Sequence, residues 1–195
     1  MKSLLIPVTM LLLLNTLLSG CAALVIGGAA VTGAIIATDR RTPGAFVEDE
    51  TIELKAKQAV SKDEPLASAR IKIISYNGIV LIVGEAPTEQ MRDQATRIVE
   101  GVDKVRTVHN EMRIAPPNSA AQRNNDSYIT AKVKTSLFGK DSIEGIDVTR
   151  VKVVTSNETV YLMGLLTRQE ADAVTETVRR VKGVQRVVKL FEYNN

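Results

Sequence analysis

The chain contains very few of the residues that build catalytic and metal-binding sites. Its 195 residues include one cysteine, one histidine and no tryptophan. A metal site needs several histidine, cysteine or carboxylate ligands that converge, and nucleophilic catalysis needs a base beside the nucleophile. The histidine, His109, falls in a predicted strand, where an ordinary partly exposed side chain is expected. We therefore expect no enzyme activity, no catalytic or metal-binding residue and no cofactor.

Clustered positive charge is also lacking. The formal net charge is +3 at pH 7. A nucleic-acid-binding protein would need a basic face, so no nucleic-acid partner is expected. Aromatic residues make up 4% of the chain, whereas 45% of its residues are hydrophobic. This balance is typical of a globular protein that has few large aromatic anchors.

The N-terminal part of the chain has no charged residue between positions 3 and 38. Lys2 is followed by an apolar run at residues 4–18 and by the small residues Ser19 and Gly20, the order found in a secretory signal peptide. Cys21 comes next, and residues 18–21 resemble a lipobox, in which the cysteine is acylated and becomes the mature N terminus. We predict a signal peptide at residues 1–20 and lipidation at Cys21. The alternative is an ordinary buried cysteine beside a signal peptide or a membrane span.

An Ala- and Gly-rich stretch follows the cysteine. Its glycines disfavour a stable isolated helix, so residues 21–47 are predicted to form a lipidated tether close to the membrane. A glycine-packed transmembrane or interfacial helix over residues 22–42 is the alternative. Two or three acyl chains on Cys21 would make release from the bilayer negligible, because each buried methylene contributes about 0.8 kcal/mol.

The rest of the chain contains an internal repeat. Residues 49–60 align with 126–137, residues 71–74 with 151–154, residues 80–84 with 160–164, and residues 88–112 with 167–191. Self-similarity of this kind indicates two copies of one structural unit. The Pro116-Pro117 pair and the polar residues after it are typical of a linker. We predict a first domain at residues 48–115, a linker at 116–124 and a second domain at 125–195.

Each copy has the pattern of a helix, two strands, a second helix and a last strand. Apolar residues four apart predict the first helix, and the Asn77-Gly78 pair predicts a tight hairpin turn between the two strands. The second copy has Asn157-Glu158 there, a less favourable pair. Thr88 and Thr167 are predicted helix N-caps, the latter in a capping box with Glu170. A strand–helix–strand crossover is right-handed, so the last strand should run parallel to its neighbour. The fold class is therefore α+β, with two tandem domains, each a three-stranded mixed sheet that carries two helices on one face.

The second strand of the first copy is apolar on both faces, through residues 79, 81 and 83 on one side and residues 80 and 82 on the other. Two helices can cover only one face of a sheet. Because a sheet that is buried on both sides needs a partner layer, we predict that the free face packs on the other repeat. The alternative is a strand whose apolar outer face is exposed.

One side of the first helix of the second copy carries aromatic residues away from its predicted core face. At about 100° per residue, Ile129, Val133 and Leu137 gather on the core side, together with Ser136. The opposite side carries Tyr128, Ala131, Thr135 and Phe138, with Lys132 and Lys134 beside them. Aromatic rings bordered by lysines suit an anionic membrane surface. The equivalent residues of the first copy, Thr51, Leu54, Gln58 and Ser61, are mostly polar, so lipid contact is expected only in the second copy. The alternative is that Tyr128 and Phe138 pack against the other domain.

A resemblance to a known family follows from these features. The strands that end in glycine at residues 80–84 and 160–164, and the Gly183-Val184 corner, resemble the BON domain. Two such units behind a lipobox resemble the dual BON-domain outer-membrane lipoproteins of Gram-negative bacteria, and Ala22 after the cysteine resembles their outer-membrane sorting pattern. The resemblance implies a non-enzymatic protein that binds anionic phospholipid chiefly through its second domain, supports outer-membrane integrity and is enriched at division sites. The first copy departs from the pattern at Lys104, where the second has Gly183, so a different corner is expected there.

Two functions of different classes remain. The first is a lipid-binding module, anchored through Cys21 to the periplasmic face of the outer membrane, whose partners are anionic phospholipids such as phosphatidylglycerol and cardiolipin. The second is an adaptor that binds envelope assembly proteins through the same helix face. Dependence of vesicle binding on anionic lipid and on salt would distinguish them.

Overall fold

The computed structural model describes residues 40–138 and 147–194, which hold both repeats. They belong to one compact unit, Asp39–Asn195. The predictions for the signal peptide, for Cys21 and for most of the tether fall on residues outside this description.

Both repeats have the predicted order of elements. In the first repeat these are α1 (Pro43–Ser61), β1 (Arg70–Tyr76), β2 (Ile79–Ala86), α2 (Glu89–Glu100), β3 (Thr107–Asn110) and β4 (Arg113–Ile114). In the second they are α3 (Ala120–Phe138), β5 (Lys152–Ser156), β6 (Thr159–Leu166), α4 (Arg168–Arg179) and β7 (Arg186–Tyr193). A short 3-10 helix precedes the first strand of each repeat, at Glu64–Ser68 and Val148–Arg150.

Each sheet is built around its second strand. β2 pairs antiparallel with β1, from Arg70 opposite Glu85 to Tyr76 opposite Ile79, and parallel with β3. β6 pairs in the same way with β5 and β7. The predicted parallel last strand is therefore confirmed in both repeats. In the first repeat this strand is interrupted at Glu111 and Met112, so β3 and β4 pair with β2 as two separate segments.

Both first helices begin earlier than the sequence pattern predicted, at Pro43 and Ala120. Thr42 caps α1 by accepting a hydrogen bond from the Ala45 amide, and a proline at the first helical position suits the helix start. Before α3, the Ser119 amide donates to the Gln122 side chain and the Gln122 amide to the Ser119 hydroxyl, in the reciprocal pattern of a capping box. These polar pairs lie in segments that were predicted to be the tether and the linker, so helix extends into both.

The two faces of each sheet have different partners. One face packs on its own helices, in a core that includes Ile52, Val80 and Ile82 in the first repeat and Ile129, Val160 and Leu162 in the second. The opposite faces of the two sheets meet each other, through a third core that contains Ile74, Tyr76, Leu81, Val83, Val154, Tyr161 and Met163. The predicted packing between the repeats is confirmed, and an exposed apolar outer face is excluded for β2.

A buried aspartate joins the first helix of each repeat to its hairpin turn. Asp49 accepts hydrogen bonds from the amides of Asn77 and Gly78, at 2.6 and 2.9 Å. Asp126 accepts from the amides of Asn157 and Glu158, at 2.9 and 2.8 Å. All four turn residues have positive φ, between 50° and 73°. The two turns thus share one conformation although the second lacks glycine, because the same carboxylate contact holds both.

The corner before the last strand is also shared by the two repeats. Lys104 has φ +67° and Gly183 has φ +103°. A different corner had been expected in the first repeat, and for the sign of φ that expectation was wrong. The Lys104 ammonium forms an ion pair with the Glu48 carboxylate on α1, so the lysine makes a contact with the first helix that a glycine could not make.

Candidate functional site

The candidate site lies on helix α3, which has one side buried in the core and the opposite side exposed. Ile129, Val133 and Leu137 are fully buried in the core of the second repeat, as predicted. Asp126 fixes the N-terminal half of the helix to the β5–β6 turn. The opposite side is consequently held in one orientation, away from the sheet.

The predicted stripe is exposed along α3. The side chains of Tyr128 and Phe138 are 63% and 50% exposed, and Ala131 and Thr135 are exposed between them. The alternative in which the two rings pack against the other domain is therefore wrong. Exposed large apolar side chains on one helix face are a feature of interaction surfaces.

The two predicted lysines have different surroundings. The Lys132 ammonium lies 4.6 Å from the centre of the Tyr128 ring, a cation–π contact, and donates a hydrogen bond to the Lys182 carbonyl. Lys134 is exposed. Lys132 therefore orients the Tyr128 ring, and Lys134 is the more accessible of the two cations.

Sequence reasoning missed Lys182, which the fold brings next to α3. This exposed residue lies in the corner after α4, where its carbonyl accepts the bond from Lys132. Gly183 allows the approach, because a Cβ atom there would lie 3.3 Å from Ile129 Cγ1 and from Lys132 Nζ. Lys182 is distant from Lys132 in the chain, so no helical spacing connects the two. Gly183 was the sequence feature that could have indicated this close approach to α3.

The first repeat differs at the equivalent positions, though less than the sequence suggested. Thr51, Gln58 and Ser61 are exposed polar residues, as expected. Leu54 is 58% exposed, and Val47, one turn before Thr51, is 62% exposed. The first helix thus has an exposed aliphatic pair but no exposed aromatic ring in its stripe. Val47 was overlooked because it precedes the aligned segment.

Two adjacent arginines fasten the N-terminal end of the described chain to both repeats. The Arg40 guanidinium donates to both carboxylate oxygens of Glu170 at 2.6 and 2.9 Å, and these hydrogen bonds lower the pKa of Glu170. Arg41 pairs with Asp49 at 2.6 Å and lies 3.8 Å from the centre of the Tyr76 ring. The chain that leads from the predicted anchor therefore reaches the domains at a fixed point.

This point lies at the end of the second repeat to which α3 runs. Leu137, near the C-terminal end of α3, belongs to the same core as Val148 and Val151. Arg150, between those two valines, lies 4.0 Å from Glu170, the partner of Arg40. The Phe138 end of α3 and the entry point of the chain are thus both at the end of the second repeat that is opposite the β5–β6 turn.

Residues 40–138 and 147–194 contain no cluster of three or more histidine, cysteine or acidic side chains that could hold a metal ion. In the same residues no helix combines the length and the apolar character that crossing a bilayer requires.

Comparison with known proteins agrees with this architecture. A family model for the BON domain matches residues 48–116 and 125–195. The chain is 41% identical over 177 residues to the outer membrane lipoprotein DolP of Haemophilus influenzae, and the alignment covers 90% of each chain. It is 36% identical over 156 residues to the 21 kDa hemolysin of Actinobacillus pleuropneumoniae, covering 80% of this chain and 79% of that one.

A more distant relative matches three quarters of the chain. The osmotically-inducible protein Y of Escherichia coli strain K12 is 24% identical over 152 residues, covering 75% of this chain and 74% of that one. None of these three relatives carries the name of an enzyme. From the two matched domains and the 41% identity it follows that this chain belongs to the BON-domain family, as an outer-membrane lipoprotein of the DolP type with two BON domains.

Proposed function

We propose that this protein is a non-enzymatic lipoprotein that binds anionic phospholipid through the outer face of α3 and thereby supports outer-membrane integrity. The observation that carries the proposal is the pair of exposed rings, Tyr128 and Phe138, at 63% and 50% exposure, on a helix face that also bears Lys132 and Lys134. The first repeat, with the same fold, exposes no ring at the equivalent positions. Lipid contact is accordingly assigned to the second repeat.

The energies expected for such a face are modest but sufficient. Complete burial of a ring the size of phenylalanine contributes about 1.5–3 kcal/mol, and shallow insertion realises part of that. Each lysine near an anionic surface adds about 1 kcal/mol. Headgroups of phosphatidylglycerol or cardiolipin would supply the negative charge. Such weak binding would become effective because the anchor raises the local concentration of membrane.

The anchor is the second part of the proposal. We propose that Cys21 is acylated and holds the protein on the periplasmic face of the outer membrane. The entry of the chain at Arg40, at the same end of the second repeat as Phe138, would let a short tether bring the stripe to the bilayer. Replacement of Cys21 by serine should leave a precursor that takes up no labelled palmitate. Acylation of that variant at the wild-type level would exclude the cysteine as the attachment site.

The lipid-binding face is tested with one substitution and its equivalent in the other repeat. Phe138→Glu removes apolar contact and sets a negative charge against the membrane, so binding to phosphatidylglycerol or cardiolipin vesicles should weaken at least tenfold, about 1.4 kcal/mol. Ser61→Glu, at the equivalent position of the first repeat, should change binding little. The measurement is co-sedimentation of the unit Asp39–Asn195 with vesicles, at low and moderate salt, with folding checked by circular dichroism.

Equal vesicle binding by folded wild-type and Phe138→Glu proteins would contradict the proposal. The same exposed face would then fit the adaptor function, in which an envelope assembly protein covers the two rings. Enrichment at the division site, which the family resemblance implies, would follow from either a local lipid or a local protein partner. Comparing the localisation of Phe138→Glu with that of wild type would show whether it depends on this face.

A further inference from the structure

A cleft between the two repeats lies on a different side of α3 from the stripe. Its volume is about 360 Å³, which falls within the range of small-molecule sites. Its walls come from β1 and the end of β2 in the first repeat and from α3 and the end of β5 in the second. Three basic residues, Arg70, Lys72 and Arg123, line it together with the hydroxyl-bearing Ser127, Thr130 and Thr155.

The cleft exists because the interface between the repeats is not symmetric. On the opposite side of the interface, Lys152 of β5 donates to the Glu53 carboxylate at 2.8 Å and to the Ser75 carbonyl at 3.0 Å. These contacts close the gap between β5 and the first repeat. Hydrogen bonds from Lys152, from the Ser75 amide and from Lys57 outweigh the effect of burial and lower the pKa of Glu53, so this carboxylate is a charged partner at neutral pH.

The equivalent lysine on the cleft side, Lys72, faces a different residue. The repeat alignment places Thr130 at the position of Glu53, and the Thr130 and Thr155 hydroxyl oxygens lie 2.7 Å apart. Within the described chain, the side chains of Lys72 and its neighbour Arg70 form no hydrogen bond or ion pair. The hydroxyl at this position thus leaves Lys72 without the carboxylate partner that Lys152 has, and Arg70 lines the same open cleft.

The two carboxylates on the cleft wall already have other partners. Asp126 accepts from the Asn157 and Glu158 amides. Glu85, which is 2% exposed, accepts from the Asn157 side chain at 2.6 Å and from the Asn118 amide at 3.3 Å. Because two carboxylates face three basic side chains, the cleft wall carries a net charge of +1. The Arg123 guanidinium donates to the Asn118 carbonyl through one nitrogen, which leaves further N–H groups for a ligand.

We propose that this cleft binds a phosphate group carried by a small polar molecule. Guanidinium groups match phosphate oxygens in geometry, a lysine adds a point charge, and hydroxyls donate further hydrogen bonds. The volume is larger than a bare phosphate needs, so the group is carried on a polyol such as glycerol. The carrier is either a soluble phosphate ester or the headgroup of a phospholipid. The residues that line the cleft are different from those of the stripe.

The test is isothermal titration of the full chain, in an uncharged detergent and phosphate-free buffer, with glycerol 3-phosphate and with inorganic phosphate. Wild type should bind glycerol 3-phosphate saturably, with a Kd of about 1 mM or below. The double substitution Arg70→Gln and Lys72→Gln should weaken binding at least tenfold. Lys55→Gln, at an exposed lysine on α1 away from the cleft, should leave binding unchanged.

A second variant tests the same site in case the double substitution fails to fold. Thr130→Glu reproduces the residue of the first repeat and supplies Lys72 with a carboxylate, so it too should weaken binding at least tenfold without loss of folding. Competition by phosphatidylglycerol in the micelles would assign the cleft to a headgroup, and its absence would assign it to a soluble ester; both outcomes support the site. No saturable binding by wild type up to about 10 mM, or equal affinity in wild type and both cleft variants, would overturn the proposal.

Discussion

Single glycines explain the strand ending that the two repeats share. Gly84 has φ +124°, and a Cβ atom there would lie 1.9 Å from the Arg70 carbonyl oxygen. At the equivalent Gly164 a Cβ atom would lie 2.9 Å from the Arg150 carbonyl oxygen. In both repeats the second strand therefore passes close to the chain that enters the first strand. Only a residue without a side chain permits this approach, and in β2 the positive φ adds to the requirement.

Gly84→Ala should consequently destabilise the protein by about 1–3 kcal/mol, the usual range for a strained backbone position. The clash involves a backbone carbonyl, which cannot rotate away as a side chain can. Gly101→Ala is the matched control, because φ is −75° there and its Cβ atom would lie at least 3.5 Å from its neighbours. The measurement is denaturant unfolding of both variants. Equal stabilities of the two would show that β2 can shift without cost.

The elements show which parts of the fold and site could be predicted from the sequence. The core face of α3 follows from apolar spacing, and the exposed stripe is what remains on the other side, so both were predictable. The starts of α1 and α3 were not, because Thr42 and Ser119 lie in polar or glycine-rich surroundings that also suit a loop. In such places local hydrogen bonds determine where the helix begins, and the hydrophobic pattern contains no information on those bonds.

Contacts between elements distant in the chain were also beyond the sequence pattern. The repeat alignment places Asp49 and Asp126 at one position, yet a lone aspartate at a helix start is ordinarily assigned to the helix dipole. Its actual partners are turn amides 28 to 32 residues away. The cleft could not be predicted for the same reason. The second repeat has Thr130 where the first has Glu53, and this difference becomes informative only when the structure shows that Lys72 and Lys152 face those positions.

At the scale of the whole molecule, the two repeats are joined by apolar and polar contacts together. The shared core uses equivalent positions of both sheets, such as Leu81 in β2 and Tyr161 in β6. Hydrogen bonds cross between the repeats around it: Asn77 donates to Glu192 at 2.5 Å, and Asn157 donates to Glu85 at 2.6 Å. Each hairpin turn therefore contacts the other repeat, and the stability of one repeat depends on the presence of the second.

This dependence predicts a single unfolding transition for the two repeats together. Each repeat has roughly 70 residues, a size at which a lone domain is only marginally stable. Leu81 is fully buried in the shared core, and Leu81→Lys would place an unpaired charge there. It should destabilise the protein by about 3–5 kcal/mol or separate the unfolding into two transitions. Leu54→Lys makes the same chemical change at a site that is 58% exposed, and it should alter stability by less than about 0.5 kcal/mol. Urea unfolding followed by circular dichroism measures both variants. If Leu81→Lys were as stable as Leu54→Lys, the two sheets could not be packed against each other in solution.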